Sequence, residues 1–212
     1  GLSFAGHNSD VQLALAPLDE ESIRAYRGRI QDAAVAAGRA AADIKILFAI
    51  QPVLVSSPEE ADRLVAASAH PDDEALVAIA RKQSSDLETD LTGLDLDKPL
   101  DRSIFGEHVS EGSIKRLVGK HDDDAPLRTI LAAHARVGRL DDGSGFVGTA
   151  DEFADRIEEL GTWGNDGVLL WGDLHPVTVH RVLDDLVPIL RRRGILREEY
   201  VDGGLQANLR AF

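Results

Sequence analysis

Gln51, Trp171, Asp173 and His175 each come directly after a stretch that reads as a buried strand, the place where parallel α/β proteins keep their chemistry. Gln51 can hydrogen-bond at the mouth of a cleft or satisfy a neighbour in the core. Trp171 can stack near a ring, cap a barrel or pack in the core. His175 precedes Pro176 at a helix start, so it is either an ordinary loop histidine or a group that handles a proton or touches substrate. Other chemistries lack their residues. The chain has no Cys and no G-x-S-x-G elbow, which leaves no visible frame for a nucleophilic hydrolase. The clusters His70-Pro71-Asp72-Asp73-Glu74 and His121-Asp122-Asp123-Asp124 show neither an i, i+4 His pair nor the alternating acidic spacing of a calcium loop. They read as solvated acidic loops, and no metal site is expected.

The elements that position these residues are clearest between Phe146 and His175. Thr149 and Glu152 have the spacing of a capping box, and Phe153, Ile157 and Leu160 put one apolar stripe on the helix that follows. Gly161 and Gly164 mark its end. Val168-Leu169-Leu170-Trp171 is apolar on both faces, as a parallel strand covered on both sides requires.

Earlier in the chain, Leu2 to Ser9 has helical spacing, and Val11 to Ala16 reads as a strand ending at Pro17. Asp19 offers a cap for a helix whose buried stripe is Ile23, Tyr26, Ile30, Ala33, Ala34 and Ala37, closed by Gly38. Ile44 to Val55 reads as a second strand whose regular part ends near Gln51, because Pro52 donates nothing to a ladder. Ser57-Pro58-Glu59-Glu60 then opens a helix with Ala61, Leu64 and Val65 inside. A last helix starts at Pro176 with Val179, Val182, Leu183, Leu186, Val187 and Leu190 facing inward, and Gly194 ends it. Between these units, residues 70–145 break the pattern: a short helix around Leu76, Ile79 and Ala80, an irregular stretch from Leu91 to Leu100, a helix with Leu127, Ile130, Leu131 and His134 on one side, and a loop from Asp141 to Gly145. An insertion of that length is usually functional or interfacial. Residues 195–212 read as a C-terminal arm.

At 22.9 kDa and 43% hydrophobic residues, the 212-residue chain can bury a core. A net charge of −14 argues against a nucleic-acid partner. Arg191-Arg192-Arg193 fits the negative end of a helix dipole better than a phosphate-binding patch. No long apolar run or basic-then-apolar leader is present, so neither membrane insertion nor secretion is expected, and a cytoplasmic location is. The chain has no Met and opens on Gly1-Leu2-Ser3-Phe4, which reads as part of a longer polypeptide.

Strands alternate with helices throughout, which predicts an α/β fold with a parallel sheet, doubly wound or part of a (β/α)8 TIM barrel. No glycine-rich phosphate fingerprint follows any strand, which disfavours a dinucleotide-binding sheet. The expectation is one partial TIM-barrel domain over residues 1–212, with the insertion at 70–145.

In blocks along its length the sequence resembles the C-terminal half of flavin-dependent monooxygenases of the bacterial-luciferase-like superfamily, in the branch with nitrilotriacetate, EDTA and dibenzothiophene-sulfone monooxygenases. FAGHNSDVQLALAPLDEES, from Phe4, is similar to a family helix and the sixth barrel strand. IKILFAIQPVLVSSPEEAD, from Ile44, is similar to the seventh strand and its helix. VGTADEFADRIEEL and NDGVLLW resemble the family's Gly-Thr-Pro-Glu helix and eighth strand, with Ala150 in place of Pro. LVPILRRRGILREEYVDGGLQANL, from Leu186, is the most specific match, to the family's C-terminal signature.

The resemblance implies the C-terminal portion of a two-component enzyme, about strands 6–8. A separate flavin reductase supplies reduced FMN (FMNH2), and O2 is used to oxidise a small organic substrate. It also implies that Gly1, Leu2 and Ser3 lie beside the flavin phosphate at a helix N-terminus. His108 falls in the insertion that often covers the pocket, and Gln51, Trp171 and His175 become pocket candidates. Most flavin contacts of the family come from earlier strands, so this stretch alone is expected not to turn over. Two alternatives stay open. One is a deazaflavin-dependent oxidoreductase of the same fold. The other is a non-catalytic half-barrel, which predicts an exposed apolar edge from Val11 to Leu15. The insertion and the arm are candidate homo-oligomer contacts.

Overall fold

The computed structural model describes residues 1–135, 145–172 and 175–211. Asp173 and the loop from Asp141 to Ser144 lie outside the described residues. The chain divides into two compact units, residues 1–61 with 138–212, and residues 62–137.

The first unit contains α1 (Leu2–Asn8), β1 (Val11–Ala14), α2 (Glu20–Ala36) and β2 (Lys45–Leu54). α3 (Pro58–Ser68) begins in it and continues into the second unit. After the second unit come β3 (Gly145–Gly148), α7 (Ala150–Thr162), β4 (Gly167–Leu170), α8 (Pro176–His180), a π-helical segment (Arg181–Leu186), α9 (Val187–Arg192) and α10 (Gly204–Arg210). Its local signals are those of the sequence. Asp19 caps α2 by accepting the Ser22 N–H at 2.8 Å. Gly38, at φ 79°, closes α2 with the paired bonds of a Schellman turn, from its own N–H to Val35 and from the Arg39 N–H to Ala34. Thr149 and Glu152 form the reciprocal capping box of α7.

β2 is the centre of a wholly parallel sheet. It pairs with β1 from Val11↔Lys45 to Ala14↔Phe48, with β4 from Leu47↔Gly167 to Ile50↔Leu170, and with β3 from Gln51↔Gly145 to Leu54↔Gly148. The expected end near Gln51 is therefore corrected, since the strand continues through Pro52 to Leu54. Pairing with β4 stops at Ile50 and pairing with β3 starts at Gln51, so Pro52, opposite Phe146, is the second residue of the new pairing.

Alternation along the strands gives the sheet two unlike faces. Ala14, Ile46, Phe48 and Ile50 are buried on one, with Val168 and Leu170 packed beside them. Against this face lie Ile23, Ile30 and Ala34 of α2, Phe153 and Leu160 of α7, and Leu186, Ile189 and Leu190 near the C-terminus. The other face carries Val11, Leu13, Leu47, Ala49 and Leu169. Leu13 is 52% exposed and Leu15, just past the strand, 73%. The run from Val168 to Trp171, expected to be covered on both sides, is half-buried along β4 and exposed at Trp171, because α2, α7 and α9 all pack on one face. Among the described residues, β1 and β4 pair with β2 alone.

Two further expectations are corrected. Leu64, placed inside α3, is exposed, and Ala61 is the buried residue of that helix. Leu183 is also exposed, because the wider winding of the π segment shifts the helix out of the 3.6-residue phase used to place it.

The second unit is helical, with α4 (Asp73–Leu87), a 3-10 turn (Arg102–Ile104), α5 (Glu111–Val118) and α6 (Leu127–Ala135). Leu76, Leu87, Leu117, Leu127 and Leu131 form its own core. Arg128 clasps Asp97 at 2.6 Å and Asp73 at 2.9 Å, and these carboxylates raise its guanidinium pKa further. α5 was not legible in the sequence. No described helix is long and apolar enough to cross a membrane.

Candidate functional site

The ends of the sheet in the first unit have different jobs. At the N-terminal ends of the strands, polar side chains tie the frame together. Arg39 donates to the carbonyls of Ser9 at 2.7 Å and Gly6 at 3.2 Å and pairs with Asp10 at 3.2 Å, fixing the turn from α1 into β1. Asp166 accepts from Arg27 of α2 at 2.5 Å and from the Ile46 N–H at 2.9 Å. A cleft of about 640 Å³ near this end is lined by Lys45, Glu158, Thr162, Asn165 and Asp166. These residues hold the structure, as expected of the end of a barrel away from its chemistry.

The C-terminal ends of β2 and β4 carry the candidates. One residue beyond the last registered pair, Ile50 and Leu170, come Gln51 and Trp171, neighbours on the face without helices. The Trp171 N–H donates to the Ile50 carbonyl at 3.0 Å, which anchors its backbone at the strand end. The side chain of Trp171 is 42% exposed and Gln51 is half-buried. Gly172 follows with φ 143°, a conformation that favours glycine. A Cβ there would stand 3.4 Å from Gln51 Cγ and 3.6 Å from its Nε2, so the Gln51 amide lies along this glycine. The sequence reading missed Gly172, although a glycine directly after a buried strand is itself a signal.

His175 caps α8, its Nδ1 accepting the Val177 N–H at 3.3 Å. Gly1 is the N-cap of α1, and Leu2 and Ser3 open the helix with N–H groups that have no intrahelical acceptor. A Cβ on Gly1 would meet nothing within 4 Å, so the space beside this helix start is open. Gly6, near the end of α1, packs on Ala33 and Ala34, near the end of α2, so the two helices run side by side in the same sense. The start of α1 thus lies toward the same end of the sheet as Gln51 and Trp171. His108 is exposed in the loop before α5 and belongs to the second unit. The structure brings together Gln51 and Trp171, with His175 at the end of the same short loop.

No family model matches the chain. Dibenzothiophene-sulfone monooxygenase of Rhodococcus erythropolis is 28% identical over 221 residues, which takes in 99% of this chain and 46% of the relative. Among solved structures, DmoA from Hyphomicrobium sulfonivorans superposes with a TM-score of 0.65 at 25% identity, covering 100% of this chain and 43% of its own. A long-chain alkane monooxygenase gives 0.65 at 19% identity, over 98% of this chain and 42% of its own, and shows the fold alone. The chain spans less than half the length of each.

Proposed function

We propose that the chain is part of a luciferase-like flavin-dependent monooxygenase, to members of which it is similar over its whole length, and that it supplies the C-terminal portion of a two-component enzyme. In this reading a separate flavin reductase delivers reduced FMN, and O2 is used to oxidise a small organic substrate. The observation that carries it is the sheet, parallel and helix-covered on one face, with an apolar opposite face that ends in Gln51 and Trp171 where a (β/α)8 barrel keeps its site.

FMN, when bound and reduced, supplies the electrons for oxygen chemistry. The chain's own residues do the rest. Gly1, Leu2 and Ser3 hold the phosphate edge through first-turn N–H groups. Leu13, Leu47 and Leu169 become interior once further strands pair with β1 and β4, and they keep water from the site. Gln51 and Trp171 form one wall of the pocket. His175 stands at its rim.

The test compares residues 1–212 with a chain extended to the length of the relatives, each supplied with a flavin reductase, FMN and NADH. Binding of FMN and substrate-dependent O2 uptake by the longer chain, with neither by residues 1–212 alone, is the expected result. O2 uptake indifferent to FMN, or turnover only with a deazaflavin, would overturn the reading.

A further inference from the structure

We propose that Gln51, Trp171 and Gly172 form a cradle for a flat, uncharged aromatic or heteroaromatic ring of the substrate. The proposal rests on the reading above for the word substrate, but its geometry stands apart from flavin chemistry.

The chain contains two tryptophans. The face of Trp163 is taken, with the Arg156 guanidinium 4.7 Å from its ring centre. Trp171 is 42% exposed at a strand end, where its backbone is tied to Ile50. A large aromatic surface carried on an ordered strand end and open to solvent can serve as a stacking platform. Beside it the Gln51 amide carries a donor and an acceptor, and Gly172 lets that amide lie close because no side chain intervenes. An aromatic plane edged by a neutral amide suits a planar ring with a polar heteroatom at its rim.

Charge narrows the class. The stretches of sequence that follow the strands are Leu15–Asp19 after β1, Val55–Ser57 after β2, Thr149 after β3 and Trp171–His175 after β4, and none contains Lys or Arg. A polycarboxylate or phosphate ester would find no Lys or Arg in these stretches, and the net charge of −14 adds to its cost. An organic cation could also sit over an indole, and the test separates it.

Trp163→Phe leaves Trp171 as the sole indole. This variant is titrated without flavin against dibenzothiophene sulfone as the flat neutral probe, with nitrilotriacetate and tetramethylammonium in parallel. The expected result is saturable fluorescence quenching by the sulfone, with no competition from either ion. By equilibrium dialysis against unlabelled wild-type chain, Trp171→Ala should weaken sulfone binding about tenfold, the loss of one stacked ring, while Trp171→Phe retains part of it. Gln51→Ala should weaken it by a smaller factor. Absence of quenching, competition by either ion, or equal quenching of Trp163 in a Trp171→Phe chain would overturn the cradle. Sulfone binding in a protein whose extended form shows no FMN-dependent O2 uptake would leave the cradle and sink the monooxygenase reading. O2 uptake unaffected by Trp171→Ala would do the reverse.

Discussion

One oxygen of Asp166 accepts the backbone N–H of Ile46 at 2.9 Å and also carries the Arg27 guanidinium at 2.5 Å. The first contact ties the approach to β4 onto β2, and the second ties both to α2. Arg27 also donates to the Gly164 carbonyl at 2.6 Å, so one clasp spans the turn between α7 and β4. Asp166→Ala leaves the Ile46 N–H and a half-buried guanidinium without this partner. The expected loss is about 2 kcal/mol of unfolding free energy in urea. Asp166→Asn keeps an acceptor for Ile46 and should lose less. Equal losses in the two variants would show that charge carries the whole effect.

Gly6 is required by close approach. A Cβ on it would fall 2.3 Å from the Ala33 carbonyl oxygen, and backbone cannot yield as a side-chain tip can. Gly6→Ala should push α1 off α2 at a cost of about 1–3 kcal/mol. Hydrogen exchange should show lost protection in α1 while β2 keeps its own. Unchanged protection in α1 would refute the contact.

The acid side of the stability curve has a local contributor. The Ser22 N–H, aided by the Ser22 hydroxyl, holds the Asp19 carboxyl below the usual aspartate range. A folded pKa below the unfolded one gives stability that is complete above the ordinary aspartate value. That stability is lost as pH falls through the folded value. Asp19→Asn keeps a good capping acceptor without a titration. Its stability should fall less steeply from about pH 4 downward than that of the wild type. Parallel acid-unfolding curves for the two proteins would exclude the cap as a source of pH dependence.

Gly172 offers a test of the frame around Gln51. At φ 143° an alanine is strained by about 1–2 kcal/mol. Its Cβ would also crowd the Gln51 amide. Gly172→Ala should therefore lower thermal stability modestly and weaken the binding of a planar probe. Unaltered binding would mean that the amide does not depend on the glycine.

Much of this frame was legible in the residues. Thr149 with Glu152, Asp19 before an acidic first turn, and Gly38 after an apolar stripe are local signals, and each acts within a few positions of itself. Gln51 and Trp171 could be placed as neighbours because both follow strands, and β2 and β4 pair in register up to Ile50 and Leu170. The failures have another origin. Leu183 was misplaced because a π segment changes the period that any helical projection assumes. Pro52 was read as a terminator because the sequence does not show a strand changing partners. Arg39 and Asp166 were silent because their partners, Gly6, Ser9, Arg27 and Ile46, are distant in the chain.

β1 and β4 are different strands that run the same way, each with one side unpaired among the described residues. Two copies meeting edge to edge would not exchange equivalent surfaces, because β4 of one would join β1 of the next. That contact is head-to-tail, and it repeats without a natural stop unless its rotation closes a ring. The room left for more strands is thus also a polymer's linkage, and whatever strand first occupies either edge acts as a chain terminator.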